Sequence, residues 1–190
     1  YVKGDYTVAI EVLRDACRSA ADAGYPYLML SCRLWMGNCY SDLGRMEEML
    51  THSSVAERLA EALRATGSLP PLRYNAASTQ LELGQPEKAL PYFASLPRPG
   101  FLDLHKLAIC HEQLGHREQA LAAVQQAEPM ASGEMEQRML ALVRYRLEHP
   151  DYLHDDTYGT QLLDCFQRLR ETYPMGFTRF HLPWVLAWYK

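Results

Sequence analysis

Four glycines, Gly4, Gly44, Gly84 and Gly115, stand at the same point of a recurring pattern, 40, 40 and 31 residues apart. Leu precedes the last three, at Leu43, Leu83 and Leu114. Five residues beyond each glycine come Ala9, Met49, Ala89 and Ala120. Nine beyond come Leu13, Ser53, Phe93 and Val124. Twelve beyond come Ala16, Ala56, Leu96 and Ala127. Seven residues before the glycine, where the chain extends that far back, stand the small residues Gly37, Ala77 and Ala108. A period of this size marks supersecondary units that bury their apolar faces against one another.

Each unit makes physical sense as two antiparallel helices. A glycine ends the first helix because it tolerates the left-handed conformation of a C-terminal cap. Small residues at one level let two helix backbones approach, and large residues at helical spacing fill the gaps between pairs. No alternating strand pattern of useful length competes. Pro70-Pro71, Pro97, Pro99-Gly100 and Pro129 fall between units, where helices must stop. The expected class is all-α. Units fall at about 1–24, 26–67, 70–97, 100–128 and 133–173, with the start of a further helix over 176–190. Residues 46–66 fit one continuous helix.

Three of these segments carry a more specific signature. Gly4-Asp5-Tyr6 is followed by Ala9-Ile10. Leu83-Gly84 is followed by Glu87-Lys88-Ala89-Leu90 and Phe93. Leu114-Gly115 is followed by Glu118-Gln119-Ala120-Leu121. Over about residues 1–130 the chain resembles the tetratricopeptide repeat (TPR) family. That resemblance implies an α-solenoid, a right-handed superhelix of antiparallel helix pairs, with a concave groove lined by the first helix of each pair. Met49 and Ser53 depart from the family pattern. The first two units exceed its usual repeat length, so their second helices should be long.

Composition narrows the function classes. The chain has 190 residues, 48% hydrophobic and 22% charged, which excludes a disordered, collagen-like or disulfide-framed chain. The net charge of −4 gives no electrostatic footprint for a phosphate backbone, so no direct nucleic-acid contact is expected of this chain. No apolar run approaches the roughly 20 residues of a membrane span. Five cysteines, at positions 17, 32, 39, 110 and 165, form no CxxC pair, which reads as a cytoplasmic protein with buried thiols. The chain opens at Tyr1 and ends in mid-pattern at Lys190, so it is expected to be a fragment of a longer protein.

No catalytic motif of the GxGxxG, GxxxxGK[ST], HExxH or GxSxG type occurs, so neither catalysis nor a cofactor is expected. His105, Cys110, His111 and His116 cluster in sequence. His105 and His111, however, are six apart, which places them on different helix faces at about 100° per residue. Packing and loop histidines, rather than a metal site, are the expected reading. Asp151, Asp155, Asp156 and Asp164 lack the glycine and spacing of a calcium loop and read as a solvated segment.

Offsets of six, nine and ten residues before each turn select the groove liners. These are Asn38, Trp35 and Leu34; then Ser78, Asn75 and Tyr74; then Ile109, Lys106 and His105. With His149 taken as a turn, the last set is Val143, Leu140 and Met139, with Arg146 one helical turn on. Asn is a mediocre helix former, and its amide both donates and accepts, so it can bracket an extended peptide backbone. In TPR proteins, asparagines at these two offsets contact bound peptides, and the resemblance implies that role for Asn38 and Asn75. Lys106 is a candidate for a ligand carboxylate. Arg33 and Arg73, eleven before their glycines, are expected to brace adjacent helices.

The long repeats also resemble the C-terminal sensor domains of bacterial helix-turn-helix transcription regulators. That resemblance implies a peptide or protein segment as partner, dimerisation, and DNA contacts made by a missing N-terminal domain. The alternative is a general scaffold or co-chaperone-like adaptor reading a carboxylate terminus, for which only Lys106 and Arg146 are available. Phe180, Trp184 and Trp188 offer either a self-association surface for a homodimer or the packing face for a next helix.

Overall fold

The structure, a computed structural model, describes residues 5–172. The expected helix at 176–190 and its aromatics lie outside the described residues. Among the described residues the fold is all-helical. Nine α-helices follow one another: α1 (Tyr6–Asp22), α2 (Pro26–Asp42), α3 (Met46–Ala62), α4 (Leu69–Glu82), α5 (Pro86–Ala94), α6 (Phe101–Gln113), α7 (Arg117–Ala127), α8 (Glu134–Glu148) and α9 (Asp156–Thr172). Single 3₁₀ turns occur at Thr66–Ser68, Glu128–Met130 and Tyr152–His154. No helix among the described residues is long and apolar enough to cross a membrane.

The turns repeat more regularly than the glycine count suggests. Gly24, Gly44, Gly84 and Gly115 all take positive φ, between 68° and 75°. At each, two hydrogen bonds close the preceding helix. At the second turn Arg45 N donates to the Tyr40 carbonyl at 2.8 Å and Gly44 N to Ser41 at 3.0 Å. This is the Schellman arrangement, which satisfies carbonyls left open at a helix end. Arg64, at φ 55°, makes the same closure, with Ala65 N on Ala60 at 2.8 Å and its own N on Glu61 at 3.0 Å. Turns therefore recur every 20 residues, at 24, 44, 64 and 84. One consequence corrects the continuous helix expected over 46–66: α3 stops at Ala62 because residue 64 turns left-handed. The two long units otherwise behave as their spacing implies, with α1, α2 and α3 of 17 residues each against 9 for α5 and 11 for α7.

The chain divides into two compact units, Tyr1–Thr79 and Gln80–Lys190. In the first, Ile10 and Cys17 of α1 meet Cys32, Met36, Cys39 and Tyr40 of α2 and Met49 of α3. A neighbouring cluster joins Leu30 of α2, Ala56 and Ala60 of α3 and Leu72 of α4. Gly37 belongs to the small-residue level: a Cβ there would sit 3.7 Å from Ser53 Oγ and 3.9 Å from His52 Cβ. Arg73 braces α4 on α3, as expected, with Nε 2.5 Å from Glu57 and Nη2 2.8 Å from Glu61.

In the second unit, α6 is covered by α5, α7 and α8. Ala89, Phe93, Ala108, Ala120, Val124 and Ala127, all at repeat positions, are buried. Pro150 and a 3₁₀ turn separate α8 from α9. Asp155, within the segment read as irregular, caps α9 by accepting from Thr157 N at 2.8 Å and also accepts from the Tyr145 hydroxyl. All five cysteines are buried free thiols.

Candidate functional site

The groove prediction divides between the two units. On α2, residues 28, 31, 35, 38 and 42 fall within about 80° of one another at 100° per residue. Pro26 starts this helix with its φ preset. The resulting stripe carries Leu28, Ser31 and Trp35 exposed, then Asn38 and Asp42 half-buried. Trp35 is 48% exposed, a large apolar surface to leave in water. Leu34 is half-buried against the Leu30–Ala56–Ala60–Leu72 cluster. On α4, which shares that cluster, Tyr74 and Asn75 are half-buried. The Asn38 and Asn75 amides make no hydrogen bond to other described residues, so their donors and acceptors remain open to a ligand.

The remaining candidates are inside. Ser78 is buried and its hydroxyl donates to the Tyr74 carbonyl at 2.7 Å, an internal bond along α4. Ile109 and Met139 are core residues. His105 is buried with its ring stacked on Phe101, centroids 6.1 Å apart. Lys106 is 5% exposed. The physical reason is coverage: α6 has neighbours on several sides, so the positions that would line a groove face packed helices instead. Leu140 and Val143, counted with them, are buried too.

Burial shapes the chemistry around Lys106. Desolvation lowers its ammonium to a pKa of about 8, while Glu82, Asp103 and Cys110 pull it up. Desolvation likewise raises the Cys110 thiol to about 12, so this sulfur stays protonated and is no nucleophile at neutral pH.

Arg146 is not a free cation for a ligand. It is buried on α8 and pairs with Glu112 of α6 in a fork, Nε on Oε1 at 2.5 Å and Nη2 on Oε2 at 2.7 Å. Its Nη1 donates to the Tyr158 hydroxyl at 3.1 Å. Burial opposes the charge, but Glu112 and these hydrogen bonds outweigh it, so the guanidinium pKa is raised. Tyr158 in turn packs edge-on with Tyr152, centroids 5.0 Å apart, and beside Tyr145 at 5.7 Å. Sequence reasoning missed this network because Glu112 and Arg146 are 34 residues apart. Tyr158 was also hidden, lying directly behind the segment read as a loop.

Comparisons of the chain with protein-family models, with curated proteins and with solved structures found no match.

Two further groups involve histidines, one of them within the sequence cluster expected to be packing and loop histidines. The His111 and His116 rings face each other across the Gly115 turn, Nδ1 to Nδ1 3.4 Å apart. His52 of α3 lies against Tyr40, centroids 5.1 Å apart, and burial followed by Arg33 and Arg14 lowers its pKa. The Tyr40 ring also takes Arg45 on its face at 4.8 Å. Among the described residues no group of three or more His, Cys, Asp or Glu side chains is gathered as a metal cage.

Proposed function

We propose that the chain is a peptide- or protein-binding module of TPR-like helix pairs stacked as an α-solenoid. Its ligand lies along the first-unit face carrying Leu34, Trp35 and Asn38 of α2 with Tyr74 and Asn75 of α4. The observation that supports this most is the Asn38 amide one helical turn from the exposed Trp35 on α2, with the Asn75 amide on α4, a helix that shares a core cluster with α2. Trp35 supplies a large rigid apolar contact, of the kind that dominates recognition surfaces. Asn38 and Asn75 bracket the ligand backbone, giving affinity that does not depend on the ligand's side chains.

Within that reading we infer the sensor role: ligand binding selects among conformations of the helix array, and an attached domain or a second copy reads the change. The adaptor alternative needs clustered free cations. Arg146 is tied to Glu112 and Lys106 is buried, so no observation favours it.

The reading is tested by selecting random peptides displayed on phage against the immobilised chain, with the Asn38→Ala/Asn75→Ala variant as counter-target. Enrichment of peptides that hold the wild type and release from the variant supports it. No enrichment, or peptides indifferent to both asparagines, overturns it.

A further inference from the structure

The C-terminal turn of α6 and the N-terminus of α7 bring two histidines together that no helical periodicity would pair. His111 lies in the last turn of α6 and His116 is the N-cap of α7. Gly115 at φ 75° reverses the chain between them, and His116 N donates back to the His111 carbonyl at 2.8 Å. The backbone therefore fixes both Cα atoms before any ligand arrives. The rings stand with centroids 5.6 Å apart and planes at 49°. Their Nδ1 atoms are 3.4 Å apart, each ring presenting a nitrogen to the other.

That separation discriminates between coordination geometries. Two nitrogens each roughly 2.0–2.1 Å from one tetrahedral ion lie about 3.3–3.4 Å apart. A cis pair at 90° would need about 2.8–3.0 Å at the same bond lengths. His116 is exposed and His111 only half-buried, so the small pivot that converges both lone pairs on one ion meets little packing resistance. His105, the other histidine of α6, is excluded: it is buried against Phe101.

We propose that His111 and His116 form a two-histidine clamp for a tetrahedral divalent cation, of which Zn²⁺ is the type, across the α6–α7 turn. No third side chain of the described residues completes it. The two open positions take water, or a carboxylate or imidazole from a bound partner. The site lies in the second unit and does not depend on the peptide reading. Its effect on the chain is to tie the end of one helix to the start of the next.

The test is calorimetric titration of the reduced, metal-stripped 190-residue chain with ZnCl₂, repeated with Co²⁺ to read coordination by visible absorption. One equivalent should bind in the micromolar range, and the Co²⁺ form should show the intense bands of a tetrahedral ion. His111→Ala and His116→Ala should each weaken binding on the order of 10–100-fold. His154→Ala, on the 3₁₀ turn before α9, should bind as wild type. Circular dichroism confirms that each variant is folded, and His116→Ala, at an exposed position, is the decisive one. Absence of binding below 1 mM, equal binding by His116→Ala, or weak octahedral Co²⁺ bands overturns the proposal. In that case the pair is an imidazole–imidazole hydrogen bond.

Discussion

Lys106 and Arg146 are both buried cations, yet their surroundings treat them differently. Arg146 has a bidentate carboxylate and a phenol on one fork, the geometry that makes a buried charge tolerable. Removing one partner leaves an uncompensated charge, so Glu112→Gln should destabilise the chain by on the order of 3–5 kcal/mol in urea unfolding. The double variant Glu112→Leu/Arg146→Met should lose less than Glu112→Gln alone. At Lys106 desolvation is the largest influence and lowers the ammonium, against the attraction of Glu82, Asp103 and Cys110. Its folded pKa of about 8 lies below its ordinary 10.5. Below pH 8 both states hold the proton and the folded state carries the full penalty. From 8 to 10.5 the unfolded chain binds more protons, so this contribution to stability rises with pH, by at most about 1.4 kcal/mol per unit. The stability difference between wild type and Lys106→Met reads this directly. It also cancels the opposite trend from Cys165, whose thiol is raised to about 11 and does not sense Lys106. A difference that stays flat from pH 7 to 10 contradicts the assignment.

Turns and helices were the most legible part of the sequence, because left-handed closures demand a rare residue. Gly44, Gly84 and Gly115 announced their turns, and Met49, Ala89, Phe93 and Val124 announced the faces that follow. Arg64 did not, since an arginine in that conformation leaves no compositional mark. Gly24 was overlooked because the 40-residue spacing from Gly4 was already satisfied without it. The groove was harder to read. An offset fixes the face of a helix but not how many neighbours cover it, and α6 has three. Asn38 and Asn75 stay half-buried at their offsets, while Lys106 and Ile109 are buried. Two substitutions test the turn account from opposite sides. Arg64→Gly should stabilise the chain by about 0.5–1 kcal/mol, since it removes a strained φ. Gly84→Ala should cost about 1–2 kcal/mol, and that cost is backbone strain alone, because an added Cβ meets nothing within 4 Å. Thermal and urea unfolding would measure both; a neutral Arg64→Gly would show the turn is not strained there.

Along the whole molecule the same left-handed closure follows α1, α2, α3, α4 and α6, at residues 24, 44, 64, 84 and 115. Helix surface is what such repeats offer a ligand, and the stripe carrying Trp35 and Asn38, with Asn75 on α4, is the part proposed to bind one. The account's central claim is that this surface binds an extended peptide by its backbone. The most direct measurement is calorimetric titration of one phage-selected peptide into the wild type, Asn38→Ala, Asn75→Ala and the double variant, with unfolding midpoints measured in parallel. The account predicts that each single variant weakens binding and that the double variant weakens it roughly tenfold or more, about 1.4 kcal/mol, with stability unchanged. Equal affinity across all four proteins would contradict it.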